Sequence, residues 1–180
     1  MRLLLGFGNK ARQGKDSAAT AIATYFNSQF PRFPEAKIFK FADALYQECR
    51  REHGMVSKDA PLLQRIGAER RKKDPNHWIY LLDATMKDFK GIALITDVRY
   101  LNEASWIRSR GGILINVSRL EEDGSPFVAG DRDPNHPSET ELDGYPWNAF
   151  IKTYSGQEAL SAEQAITIAN YFFQVTERAR

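Results

Sequence analysis

The stretch RLLLGFGNKARQGKDS, residues 2–17, joins an apolar run to a glycine-bearing, cation-rich turn, and its reading decides the fold. Arg2 to Phe7 reads as a buried parallel strand, because the apolar residues run on without polar alternation and end among glycines. From Asp16 to Phe30, Ala18, Ala19, Ile22, Ala23, Phe26 and Phe30 recur at helical spacing. Strand, glycine-bearing loop and helix in that order make the first half of a βαβ unit.

The turn itself departs twice from the phosphate-loop pattern G-x-x-x-x-G-K-S/T. Five residues rather than four separate Gly8 from Gly14, and Asp16 stands where Ser or Thr is usual. The physics survives both departures. Glycines let backbone N–H groups close around phosphate oxygens, and the helix that follows points its positive end at them. Lys15 is placed to reach the β- and γ-phosphates, and Lys10 and Arg12 add two cations that repel one another unless an anion arrives. The loop Gly8, Asn9, Lys10, Ala11, Arg12, Gly14, Lys15, Asp16 and Ser17 is therefore the candidate ATP-phosphate site. Asp16 either holds Mg²⁺, which prefers oxygen ligands, or caps the helix as an acid in its first turn. Ser17 offers a hydroxyl as an alternative ligand.

Working outward, a short strand Lys37–Phe41 leads into a helix from Ala42 to His53, with Gly54 as its stop. Pro61–Lys73 reads as a cation-rich helix, and Asp74-Pro75 as the start of another carrying Trp78, Ile79, Leu82 and Met86. Gly91–Thr96 is the cleanest buried strand, and it ends at Asp97-Val-Arg99. A helix Leu101–Arg110 and a strand Ile113–Val117 follow; Ser118–Pro137, with little apolar periodicity, reads as an excursion. Phe150–Tyr154 and Ser161–Arg178 read as a last strand and a closing helix. Strands alternating with helices imply a parallel sheet covered on both faces, with ligands at the carboxyl ends of the strands. The Gly8 loop, the Phe41–Asp43 turn and Asp97-Val-Arg99 all fall at that edge. Asp97 there is the natural acid for a metal, since a buried carboxylate needs a cation or solvent to face.

The chain has 180 residues, 42% of them hydrophobic, which suits one domain with a real core. Its 25 basic and 23 acidic residues give a formal charge of +2, too small an excess for a dedicated nucleic-acid binder. A lone cysteine, Cys49, forms no internal disulfide and fits a reducing cytoplasm. No apolar run reaches the roughly 20 residues that span a bilayer, and the opening residues are too few for a signal peptide. A cytoplasmic protein is the expectation.

Several further strings appear in one order: Phe41-Ala-Asp43, Leu63-Gln64 with Gly67-Ala-Glu69, Asp74-Pro with Trp78, Asp97-Val-Arg99 with Asn102-Glu103-Ala104, and His136-Pro-Ser-Glu139. With the loop, they resemble the phage-type deoxynucleoside monophosphate kinases, over most of the chain from Arg2 to Leu160. The resemblance implies a three-layer α/β P-loop kinase fold with a parallel sheet of about five strands and a mobile lid. It implies one domain, 1–180, with an acceptor-binding helical region at 42–90 and the lid at 118–137. The implied reaction moves the γ-phosphoryl of ATP, with Mg²⁺, to a deoxynucleoside monophosphate. Carried over, Asp43 lies at the acceptor nucleoside and Arg99 grips its phosphate. Arg70 and Arg71 are further acceptor contacts, as an arginine fork suits a phosphate dianion. Arg119 and Arg132 swing onto the phosphates as the lid closes and excludes water, and Glu139 orients a lid arginine. Lys15, Arg99, Arg119 and Arg132 are thus the catalytic set. Trp78 and Phe41 either stack on a base or fill the core; His136 is a structural hydrogen-bonder, and Lys152–Gly156 loosely matches an adenine-cradling loop. Relatives point to a homodimer, or to the host cytoplasm for a phage-encoded chain. Two other readings stay open: a dephospho-coenzyme A or phosphomevalonate type of kinase, and a nucleotide-binding regulatory protein without transfer.

Overall fold

In the computed structural model, which describes residues 3–29, 35–131 and 133–179, the first strand, β1 (Leu3–Gly8), is buried along its whole length. It lies at the centre of a five-stranded, all-parallel sheet of order β2-β3-β1-β4-β5. The other strands are β2 (Ala36–Phe39), β3 (Ile92–Val98), β4 (Ile113–Leu120) and β5 (Ala149–Tyr154). Side chains alternate between two cores, as the pleat requires. Leu3, Leu5, Phe7, Ile92 and Leu94 face α1 (Lys15–Gln29) and α7 (Glu158–Arg178). Leu4, Ala93, Ile95 and Leu114 face the other side, under α2 (Ala42–His53), α3 (Ala60–Lys73), α4 (His77–Met86) and α5 (Leu101–Ser109). The chain has a three-layer α/β, P-loop kinase-like fold.

Local chemistry sets the helix bounds. Asp59 caps α3 by accepting a hydrogen bond from Leu62 N–H at 2.9 Å, with proline at the first turn. Gly54 ends α2 at φ 64°, in the left-handed region that favours glycine. Among the described residues, no helix is long and apolar enough to cross a membrane.

Three expectations need correction. Strand β4 runs to Leu120 instead of stopping at Val117, because Val117 to Leu120 pair with Ile151 to Tyr154 of β5. Arg119 is consequently a strand residue, outside the excursion. Helix α4 starts at His77, not at Asp74: the Asp74 carboxylate accepts from Asn76 N–H at 2.9 Å and makes a turn ahead of the helix. Strand β2 ends at Phe39, since the next amides turn away from the sheet toward Asp97. A one-turn helix, α6 (Pro137–Thr140), starts where the excursion ends and is capped by the His136 ring, which accepts from Ser138 N–H at 3.2 Å.

Candidate active site

A cavity of about 550 Å³ opens along the carboxyl edge of the sheet, between the β1–α1 loop and α3. One end is built by the loop. Gly8 has no room for a side chain, because a Cβ would lie 2.7 Å from Cζ3 of Trp147. Asn9 (φ 92°), Arg12 (φ 57°) and Gly14 (φ 92°) take left-handed conformations that curl the loop. Ala18 N–H bonds back to Gly14 O at 3.0 Å and closes the first turn of α1, whose leading residues Lys15 to Ser17 line the cavity. Contacts on every side hold this shape: Lys10 pairs with Asp143 at 3.1 Å and Arg12 with Asp131 at 2.6 Å. Buried Gln13 donates to Phe127 O at 3.0 Å and accepts from Arg119 N–H.

Lys15 is buried, with its ammonium donating to the Asn9 carbonyl at 3.2 Å and to that of Lys10. Burial, and then the nearby Arg99 charge, push its pKa well below the ordinary lysine value. An anion delivered to this point would reverse that cost.

The metal candidates differ in geometry. Asp16 is exposed and accepts from Thr96 Oγ1 at 2.6 Å and from Lys40 Nζ at 2.7 Å. Partial burial raises its pKa, but the bonds from Lys40 and Thr96 outweigh it and hold the carboxyl below the usual aspartate value. Ser17 is exposed beside it, and both line the cavity. An exposed carboxylate and hydroxyl suit a Mg²⁺ ion that keeps most of its waters. Asp97 is otherwise engaged: one carboxylate oxygen accepts from Phe41 N–H and the other from Ala42 N–H, each at 2.9 Å. It caps α2, and burial raises its pKa despite those two bonds.

The other end of the cavity belongs to α2, α3 and the start of α5. Arg99 donates to Glu139 at 2.7 Å and to Ser138 O at 3.1 Å. Arg71 pairs with Glu103 at 3.1 Å and lies 4.0 Å over the Tyr100 ring. The stripe Ala60, Leu63, Gln64 and Arg71 forms one wall, at helical i, i+3, i+4, i+11 spacing. Tyr46 and Lys58 complete it.

Of the other expected residues, Phe41, Trp78 and Arg119 line the cavity, whereas Arg70 and Asp43 do not. Arg70 turns away from the cavity to pair with Glu48 at 2.6 Å, because adjacent helix positions point about 100° apart. Asp43 is exposed on the first turn of α2 and is absent from the cavity wall. Trp78 is 2% exposed, its ring N–H donating to Gly67 O at 3.4 Å, so it is a core residue that also lines the cavity. Phe41 is likewise buried, edge-on to Trp106. Arg119 reaches the cavity from β4, donating to Ser155 Oγ at 2.9 Å and stacking on Phe127 at 4.6 Å. Arg132 lies outside the described residues. Glu139 accepts from Arg99 and from the loop amide of Ala11, each at 2.7 Å. Sequence spacing missed Lys40, Gln13 and Glu103; of these only Glu103 carried a signal, a capping glutamate at the third position of α5.

No family model matches the chain. Over 64 residues it is 39% identical to a protein of Acanthamoeba polyphaga mimivirus provisionally named a deoxynucleotide monophosphate kinase. The match takes in 36% of this chain and 29% of that protein. The chain is thus related, in part and at a distance, to a protein with a kinase name.

Proposed function

We propose that the chain transfers the γ-phosphoryl group of ATP to a deoxynucleoside 5′-monophosphate, giving the diphosphate. The observation that carries this is a single cavity with a cation-bearing phosphate loop at one end and two carboxylate-held arginines at the other. Two anionic substrates fit such a cavity head to head, and the kinase-named relative supports the choice of a nucleotide as acceptor. An oxygen of the acceptor phosphate attacks the γ-phosphorus, and the bond to the β–γ bridging oxygen breaks as ADP departs. The acceptor is already ionised, so no general base is needed and positioning with charge neutralisation does the catalysis.

Within that reaction, Lys15 leaves its two loop carbonyls for the β- and γ-phosphates, and the α1 amides cradle them. Arg99 and Arg71 hold the acceptor phosphate, and Arg119 adds charge from β4. Asp16 and Ser17 would hold Mg²⁺, which would neutralise part of the phosphate charge. Leu45, Leu63 and Tyr46 give the base an apolar seat.

A coupled ADP-release assay over all deoxy- and ribonucleoside monophosphates tests the assignment. Turnover with at least one deoxynucleotide is expected. Lys15→Met should lose it by at least about a hundredfold, the size of effect seen when one transition-state donor is removed, with an unchanged circular dichroism spectrum. Phosphorylation of dephospho-coenzyme A or mevalonate phosphate, with every nucleotide inert, would overturn it.

A further inference from the structure

We infer that Glu139 is a positioning residue that couples donor binding to acceptor binding by tying the phosphate loop to Arg99. One carboxylate oxygen accepts from Ala11 N–H, inside the loop, at 2.7 Å. The other accepts from Arg99 Nη1 at the same distance, 2.7 Å. Glu139 is 7% exposed, so both bonds are sheltered from water, which strengthens each of them. Its own position is fixed by α6, where Glu139 N–H bonds to His136 O at 2.7 Å and Ser138 O gives Arg99 a second acceptor at 3.1 Å.

The link continues beyond Arg99. The Arg99 backbone N–H donates to Glu103 at 2.8 Å, and the second oxygen of Glu103 holds Arg71 at 3.1 Å. Ala11, Glu139, Arg99, Glu103 and Arg71 therefore form one hydrogen-bonded path from the donor loop to both acceptor arginines. Non-glycine residues on either side of Ala11, Asn9 and Arg12, sit in the left-handed region, so the loop is held in shape by its contacts. A donor phosphate that fixes the loop fixes the Ala11 amide, and through the carboxylate it fixes the Arg99 fork before the acceptor arrives. The acceptor then meets a guanidinium already ordered, and by linkage it returns the same gain to the donor.

This rests on the phosphoryl-transfer assignment, and the test separates the two. Dissociation constants of the four deoxynucleoside monophosphates are measured by calorimetry on the full chain, with and without saturating AMP-PNP and Mg²⁺. In the wild type, the analogue should tighten the acceptor by about tenfold, within the usual range for coupled sites. Glu139→Gln offers one carbonyl for two donors, so it should keep binding each ligand alone but reduce the coupling to about twofold or less. Glu139→Asp keeps the charge but is one methylene too short to span both partners, and should lose coupling likewise; it serves if the amide variant melts early. A wild type without coupling, or coupling undiminished in both variants, overturns the role of Glu139 and leaves the kinase assignment standing. A wild type that binds no nucleotide overturns both.

Discussion

Asp97→Asn separates a capping carboxylate from a metal ligand. In the structure each oxygen of Asp97 accepts one backbone N–H, from Phe41 and from Ala42, both at 2.9 Å. A carboxamide keeps one oxygen and turns an NH₂ group toward the second N–H, leaving a donor against a donor. An unmet donor in this half-buried position costs about 1–3 kcal/mol. For a chain of 180 residues each kcal/mol lowers Tm by about 2–4 °C, so a midpoint cost of about 2 kcal/mol predicts a drop of about 4–8 °C. Relief of the burial that raises the Asp97 pKa works the other way and favours the lower part of that range. The assay is differential scanning calorimetry at neutral pH, first without nucleotide or metal, then with ATP and Mg²⁺. The ligand-induced rise in Tm should be retained by the variant. A ligand-free Tm within about 1 °C of the wild type, together with loss of the Mg²⁺-dependent rise, would refute the capping role and restore Asp97 as a direct metal ligand.

Further outcomes follow from the same geometry. Arg71→Ala should raise the acceptor KM by about tenfold or more, the scale of a lost charge-assisted bond, with the ATP KM nearly unchanged. Arg70→Ala, which breaks pairs with Glu48 and Glu52 outside the cavity, should change either KM by less than about twofold; equal effects from the two variants would contradict the placement of α3. Burial, opposed by Arg71 and reinforced by Asp97, pushes Glu103 up to about 7 from an unfolded value of 4.5. The folded state therefore holds this proton more tightly than the unfolded chain. Its contribution is fully present below 4.5 and is lost as pH rises toward about 7. Denaturant titrations should show that decline between those limits, and Glu103→Gln should flatten it; an unaltered slope would remove Glu103 as its source.

Order along the chain was legible because each βα step writes its own signature. Six residues of β1 are buried on both faces, so the run from Leu3 to Phe7 had no polar alternation to mislead, and Gly8 had to lie where the sheet edge turns. The Ser118 boundary was illegible for the opposite reason. Ser118 and Arg119 look like loop residues, and only pairing with Lys152 and Thr153 on β5, more than thirty residues later, makes them a strand. Composition marks a cationic helix at 65–73 but does not say which arginine turns inward. A rotation of about 100° per residue puts Arg71 against Glu103 and Arg70 against Glu48, and that phase is set by how α3 packs on α2 and α5.

The loop at Gly8–Ser17 shows the same division. By itself the sequence determined a glycine- and cation-bearing turn between a buried strand and a helix start, because these are local features. The tertiary structure alone decided what surrounds it. Trp147 presses on Gly8, Glu139 takes the Ala11 amide, and Asp97 holds the first amides of α2. These partners lie between 56 and 128 residues away along the chain for the two hydrogen bonds that matter most. No local pattern encodes contacts of that reach, since they exist only once the sheet has brought its strand ends to one edge.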